Sequence, residues 1–389
     1  MNIVFIAPFA FSPKATVSAR MLPIATALRR RGHRVTILMP PYDNPADSGK
    51  TWEHAGVQME NMHVSHASAM RTYVDLARQM AQRARNLKPD VTHVFKPVGV
   101  GALALQLGLG SAKVVLDNDD WEGAGGWADV NPYTPAQRRF FIWQEARCLR
   151  NAPAVTCASE ALIERSAQFR GGSHTGVHLF PNGPEEAMRG QVAAAQHKRA
   201  ALREQFGWRG PVVIYAGTIP LNHDLDMVTQ AIKDLTALKW VIVASGDGIA
   251  SLQRTIDAAG IAQRVEWHRF MPHSRLVEYL VAADAAVYPY RDTPINRAKC
   301  SGKVMDYMAC GLPMVVSEVG MNRTYLEDGV SGLLTPAGDT LAFGDALRRL
   351  LDDRAFAASL GAAAQRRIWE KFGWDARVAT LEKVYHSSQ

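Results

Sequence analysis

The sequence predicts an α/β protein built from two doubly wound, Rossmann-like domains of similar size. Three observations carry that reading. Apolar strand-like runs alternate with helical patterns from Asn2 to Ala158, which implies βαβ units and a mainly parallel sheet. The alternation stops in a stretch rich in Ala, Gln and Arg from Pro184 to Gly210, and it resumes at Val212-Val213-Ile214-Tyr215. A chain of 389 residues is long enough for two ordinary domains. The domains are read as 1–183 and 211–369. Residues 184–210 form a linker and lead-in helix, and a C-terminal helix over 370–389 crosses back onto the first domain.

The first half is assigned in order. Strands are predicted at Asn2 to Ala7, Arg34 to Met39, Val91 to Phe95, Lys113 to Leu116 and Ala154 to Ala158. Helices are predicted from about Ala19 to Arg31, closed by Gly32, from Gly99 to Leu109, and from Pro135 to Arg150. The aromatics of that last helix (Phe140, Phe141, Trp143) are assigned to the core in preference to a membrane surface. In the second half the strands are Val212 to Tyr215, Trp240 to Ala244, Arg264 to Trp267, Ala285 to Tyr288 and Met314 to Ser317.

Composition narrows the function. With 47% apolar and 21% charged residues the chain reads as an ordinary globular protein. A net charge of +7 suits anionic ligands or an anionic membrane surface, but no Lys/Arg run is dense enough to argue for nucleic acid. Arg29-Arg30-Arg31 suits a helix C-terminus. Four cysteines without paired spacing point to a reducing, cytoplasmic setting. The N-terminus has no basic n-region and runs straight into a strand, and no apolar stretch is long enough to span a bilayer. Neither half carries G-x-G-x-x-G after a strand, nor a P-loop, so dinucleotide and P-loop readings lose their main support. His63 and His66, and His174 and His178, have metal-compatible spacing but no third ligand nearby.

In doubly wound sheets ligands bind beyond the carboxyl ends of the strands. The loops there are 9–16, 117–127, 217–224, 245–248 and 292–302. Asp117-Asn118-Asp119-Asp120-Trp121-Glu122 places four carboxylates in six residues, which repel one another and call for solvation by water. They suit acid/base work or the binding of substrate hydroxyls; an Asx-turn is the plain alternative, and Mg²⁺ or Ca²⁺ a further one. Gly123 to Trp127 continues this as a flexible loop with an aromatic. Gly217-Thr218 and Gly246-Asp247-Gly248 either let backbone approach a ligand or simply turn the chain. His223 either meets a phosphate or faces solvent.

The stretch from Asn296 to Val316 is the most informative. It is read as a loop through Asn296, Arg297 and Cys300, then a helix from Lys303 to Ala309, then a buried strand. Ser301 is the expected N-cap, and Ser301-Gly302-Lys303 is a candidate phosphate cradle. Asp306, one turn on, would accept hydrogen bonds from ribose; a plain Lys303–Asp306 surface pair is the alternative.

Eight segments in order carry a resemblance: ALRRRGHRVTIL (27–38), VTCASEAL (155–162), FPNG (180–183), IYAGTI (214–219), VASGDG (243–248), DAAVYPY (284–290), DYMACGLPMVVS (306–317) and EDGVSGLLTPAGD (327–339). Over nearly its whole length the chain resembles the GT-B-fold glycosyltransferases of family 4, the group 1 type. That resemblance implies two facing domains with an interdomain cleft, the nucleotide sugar on the second and the acceptor on the first. The family's Glu-x7-Glu motif is a variant here: its second Glu aligns with Asp306 and its first with Ala298. The diphosphate-flanking Arg and Lys align with Thr218 and His223. Ser301 and Lys303 resemble the Pro-Ser-Lys loop of some relatives, and the acceptor-side His aligns with Asp119, beside Asp120. Pro13-Lys14-Ala15-Thr16 replaces a Gly-Gly loop.

The resemblance implies metal-independent transfer of a sugar from a nucleoside diphosphate sugar to a hydroxyl acceptor, with retention and with no separate cofactor. A UDP-sugar is favoured over a GDP-sugar. Lys303 and Asp119 are the expected catalytic residues. Donor contacts are expected at Gly217, Thr218, His223, Gly246, Asp247, Gly248, Asn296, Arg297, Ser301, Gly302, Lys303 and Asp306, and acceptor contacts at Lys14, Thr16, Asp120 and Trp121. The acceptor would be a glycan or lipid-linked precursor, with peripheral attachment to the inner face of the membrane. A nucleotide-sugar 2-epimerase, or a non-catalytic nucleotide-sugar-binding partner, is the rival reading.

Overall fold

The computed structural model describes residues 1–65, 68–110, 112–220 and 223–387. Two compact units divide the chain: Met1–Asn182, Arg297–Cys300 and the C-terminal helix Trp374–Ser387 pack as one, and Gly183–Asn296 with Ser301–Gly373 as the other.

The first unit holds eight strands: β1 (Asn2–Ile6), β2 (Arg34–Met39), β3 (Thr51–His54), β4 (Val57–Asn61), β5 (Val91–Phe95), β6 (Lys113–Asn118), β7 (Ala154–Cys157) and β8 (Val177–Leu179). They lie in the order β3-β4-β2-β1-β5-β6-β7-β8, parallel throughout except for β3. β1 pairs with β2 on one side (Ile3 with Val35) and with β5 on the other (Ile3 with Val91), so the winding reverses between β1 and β5. The period-two alternation of β1 fixes its two faces. Ile3 and Phe5 join a core under the helices Leu22–Arg30 and Trp374–Ser387; Val4 and Ile6 join one under Ala69–Leu87 and Pro135–Asn151.

The C-terminal helix is tied down by ion pairs that use the tripled arginines. Arg30 meets Asp375, and Arg31 and His33 both meet Glu382 at 2.6 and 2.7 Å. Its Tyr385 hydroxyl bonds His93 Nδ1 at 2.8 Å in the core. Burial holds the His93 imidazole well below its ordinary pKa, so it packs there neutral.

The second unit holds β9 (Val212–Thr218), β10 (Lys239–Ser245), β11 (Val265–His268), β12 (Ala285–Tyr288), β13 (Met314–Ser317) and β14 (Leu333–Thr335) in the order β11-β10-β9-β12-β13-β14, all parallel. Val212 to Ala216 and Trp240 to Ala244 are buried without interruption, as strands covered on both faces must be. Here the winding reverses between β9 and β12.

Several expectations need correction. The segment before Ser301 is not all loop, since Pro294–Ala298 is a short helix. The terminal helix is interrupted: Arg354–Phe372 ends before Gly373, and a new helix begins at Trp374. The aromatics of Pro135–Asn151 do not fill the core. Its buried residues are Gln144, Glu145, Cys148 and Leu149, while Trp143 is 50% exposed. Among the described residues no helix is long and apolar enough to cross a membrane.

Candidate active site

The sequence-predicted residues gather at the two places where the sheets reverse their winding, the usual ligand position for such sheets. Each unit contributes one such place.

In the first unit, Lys96 follows β5 directly and holds a left-handed backbone with φ 70°. Its ammonium lies 2.9 Å from Asp119, 2.8 Å from Asp120 and 2.6 Å from Glu122. The expectation of a mutually repelling, water-solvated acidic loop is therefore wrong, because a buried cation sits at its centre. Burial alone would lower the Lys96 pKa, but the three carboxylates outweigh it and hold the pKa well above the ordinary value. Burial pushes Glu122 up to about 6 against the pull of Lys96. The three acids are the only described cluster with metal-ligand spacing. The ammonium already occupies the position a divalent ion would take.

Asp117 leaves this group altogether. It takes Arg20 bidentately at 2.7 Å, and both side chains are buried. Arg20 also donates to Asn182 Oδ1 at 2.6 Å and to the Phe180 carbonyl at 2.9 Å, so FPNG is held by an arginine that the sequence reading missed. Asn182 in turn donates to Cys300 through its backbone N–H (3.0 Å to Sγ) and its side-chain amide (3.3 Å to the carbonyl). Ala298 is buried in the same unit's apolar core. A carboxylate there would be desolvated without a partner, which gives a physical reason for its absence. Arg297 belongs to this unit, whereas its neighbour Asn296 belongs to the other and bonds the Arg291 carbonyl.

Lys14 is exposed as a whole on the loop after β1, but its Nζ lies 3.7 Å from the centre of the Phe9 ring, and that partial enclosure of the amine lowers its pKa. Thr16 precedes the helical turn Val17–Met21 without capping it. Trp121 packs against the Arg165 guanidinium at 4.3 Å.

In the second unit, the helix Gly302–Ala309 begins at the predicted place, but Ser301 does not cap it. Its hydroxyl donates instead to Tyr288 Oη at 2.6 Å, at the end of β12. The first-turn N–H groups thus gain nothing from that side chain. Lys303, half-buried in that turn, stretches across Gly217 at the end of β9. A Cβ on Gly217 would overlap Lys303 Cε and lie 2.7 Å from Nζ. Among the described residues no carboxylate pairs with Lys303. The Lys303–Asp306 surface pair is absent, because Asp306 Oδ2 faces His273 Nε2 at 3.2 Å.

His273 and Glu185 were missed in the sequence. His273 Nδ1 lies 3.0 Å from Glu185, and the bonds to Asp306 and Glu185 raise its pKa to about 10. Neither residue stands in a motif, and only the tertiary fold joins them to Asp306.

Around Gly217 the other donor-side positions separate. Gly246 and Gly248 are required by the backbone itself: a Cβ on either would overlap the Ile219 or Pro220 carbonyl, and Gly248 N–H bonds Ile219 O at 3.0 Å. The plain-turn reading accounts for both. Thr218 and Asp247 are exposed. His223 does not face solvent, being 6% exposed; among the described residues neither ring nitrogen has a hydrogen-bond partner, and Nδ1 lies 4.0 Å from Asp226. Of the discounted histidines, His174 pairs with Glu164 and His63 is exposed, while His66 lies outside the described residues.

Residues 210–353 match the family described as glycosyl transferases group 1, and residues 16–183 match the glycosyl transferase 4-like domain. The chain is similar to D-inositol 3-phosphate glycosyltransferase of Xylanimonas cellulosilytica, 29% identical over 246 residues, covering 59% of this chain and 58% of that protein. It is 28% identical over 244 residues to the GDP-mannose-dependent alpha-(1-6)-phosphatidylinositol monomannoside mannosyltransferase of Mycolicibacterium smegmatis, 60% of this chain and 62% of that one. The matched regions thus span little more than half of these curated relatives. The structure of Anabaena HepE in complex with UDP-glucose superimposes with a TM-score of 0.73 over 100% of both chains at 17% identity, a likeness of fold. The chain belongs to the group 1 glycosyltransferases, on the GT-B fold.

Proposed function

We propose that the chain transfers a sugar from a nucleoside diphosphate sugar to a hydroxyl acceptor, with retention of anomeric configuration and without a metal ion. The observation that carries this reading is the Lys303 ammonium, held across Gly217 beside the first turn of Gly302–Ala309 and free of any described carboxylate. Departure of the nucleoside diphosphate builds negative charge on its β-phosphate. A fixed ammonium and aligned N–H groups stabilise charge that develops there, and one such donor contributes about 3–4 kcal/mol in other enzymes. The first-turn amides are those of Gly302, Lys303 and Val304.

Asp306 would hold the ribose through Oδ1, with His273 and Glu185 fixing its other oxygen. His223, buried in the same unit with no hydrogen-bond partner on either ring nitrogen among the described residues, would meet the donor phosphates. Asp119, steadied by Lys96, would orient the reacting sugar, with Asp120, Trp121, Lys14 and Thr16 on the acceptor side. The Lys96 ammonium among the three carboxylates supports metal independence.

A UDP-sugar is the first donor to test and a GDP-sugar the second, following HepE and the mycobacterial relative. For the acceptor we favour a glycan or lipid-linked precursor at an anionic membrane surface. Arg139, Trp143, Arg147 and Arg150 recur at helical spacing along one exposed face of Pro135–Asn151, whose one acidic residue, Glu145, is buried.

The test is nucleotide release from UDP- and GDP-sugars with and without candidate acceptors. Transfer predicts release that rises with acceptor and a new glycoside. Release with an altered free sugar and no acceptor dependence would favour the epimerase reading, and binding without turnover the non-catalytic one.

A further inference from the structure

Gly123 to Gly126 reads in sequence as a flexible turn; in the structure it is closed by hydrogen bonds over a buried side-chain pair. Beneath it lies a buried ion pair, Glu145 fully enclosed and Arg165 nearly so, joined at 3.0 Å (Nε to Oε1) and 2.5 Å (Nη2 to Oε2). Glu145 Oε1 also accepts the Gly123 N–H at 3.1 Å. The guanidinium is stacked between Trp121, 4.3 Å from the ring centre, and Phe169, at 4.9 Å. The loop then closes on itself. Trp121 Nε1 donates to the Ala124 carbonyl at 2.8 Å, Trp127 N–H to the Trp121 carbonyl at 2.9 Å and Ala128 N–H to the Glu122 carbonyl at 2.8 Å. Both outer glycines are dictated by this closure: a Cβ on Gly123 would overlap the Glu145 carboxylate, and one on Gly126 the Trp121 carbonyl.

A buried pair of this kind is a poor device for stability, since desolvating both charges offsets most of their attraction. It is an effective device for fixing geometry. Glu145 holds the loop by its backbone and Arg165 by an aromatic face, and the residue between those two grips is Glu122, one of the three acids around Lys96.

We infer that Glu145 and Arg165 are positioning residues for the acceptor side. They preorganise the Trp121–Trp127 loop, and with it Trp121 and Glu122, into a rigid platform on which acceptor specificity depends. This rests on the proposed transferase reading for its kinetic consequence, but the rigidity itself does not.

The experiment compares wild type with the double variant Glu145→Met/Arg165→Met, which removes both charges together and so avoids stranding either. Melting temperature controls for folding. Hydrogen exchange of the amides of 123–128 in the free protein reads the platform directly, with no assumption about activity. The inference predicts slow exchange in wild type and at least tenfold faster exchange in the variant, with the melting temperature within a few degrees. Equal protection in both proteins would overturn it. Where wild type turns over a nucleotide sugar, the inference further predicts a KM for acceptor raised by a larger factor than acceptor-independent nucleotide release is lowered. Placing Trp121→Ala in both backgrounds should abolish most of that KM difference, and an undiminished difference would refute the route through Trp121. Wild type that releases no nucleotide from any donor would count against the transferase reading and leave the exchange result standing.

Discussion

Lys303 Nζ would lie 2.7 Å from a Cβ placed on Gly217, so the smallest residue at the end of β9 is what lets the ammonium lie over the strand end. Two segments some eighty residues apart thereby meet. Gly217→Ala would set a Cβ against Lys303 Cε and Cδ at a backbone φ of 151°, which L side chains rarely adopt, so its melting temperature is compared with wild type as a control for folding. The variant should weaken nucleotide diphosphate binding by about tenfold, about 1.4 kcal/mol. Calorimetric titration with UDP and GDP checks this, and affinity equal to wild type would separate Lys303 from the phosphate.

The His273 bridge makes stability depend on pH in a defined direction. Its folded pKa of about 10 lies above the unfolded value of about 6.5. Its stabilisation is therefore complete below about pH 6.5 and is lost as pH rises through about 10. The gap in melting temperature between wild type and His273→Gln should be widest at pH 6 and should close towards pH 10. A gap that grows with pH would show that the ring is neutral in the fold.

Lys96→Met would leave Asp119, Asp120 and Glu122 facing one another without their cation. Removing one partner from a buried ionic group typically costs about 3–5 kcal/mol. The loss should shrink as pH is lowered, because burial already raises Glu122 to about 6, and its uncompensated carboxyl takes up a proton more readily in the folded than in the unfolded chain. Urea unfolding at pH 5 and pH 8 measures both effects. An equal loss at the two values would contradict the ionic account.

The basic face of Pro135–Asn151 predicts salt-sensitive binding to anionic vesicles. Co-sedimentation with vesicles containing anionic lipid should retain the protein at low salt, lose most of it in the variant Arg139→Ser/Trp143→Ser/Arg147→Ser, and fail with purely zwitterionic vesicles. Retention of the variant at wild-type levels would remove the surface assignment.

The parallel strands were legible because each is a short apolar run between turn signals: β2, β5, β12 and β13 start and stop where periodicity places them. The β3–β4 hairpin was not. Its strands TWEH and VQMEN are half polar, and its turn places Ala55 and Gly56 at positive φ, where Asn or Asp normally announces such a turn. Near the candidate site, the helix start at Gly302 could be read because Ser301-Gly302 precedes an apolar helical pattern. Lys96, Arg20 and His273 could not, since each gains its meaning only from carboxylates brought to it by the fold. Ser301 misled for the same reason: the Tyr288 hydroxyl that engages it comes from a separate strand.

The central claim is that Lys303 and the helix start at Gly302 bind the diphosphate of a nucleotide sugar. The most direct measurement is thermal unfolding of wild type and Lys303→Ala with UDP-glucose and GDP-mannose, beside the corresponding free sugars. Ligand linkage raises the melting temperature only where the native state binds. The account predicts a rise for wild type with at least one nucleotide sugar, none with free sugars, and a much smaller rise for Lys303→Ala. Equal rises in the two proteins would place the diphosphate elsewhere and contradict the account.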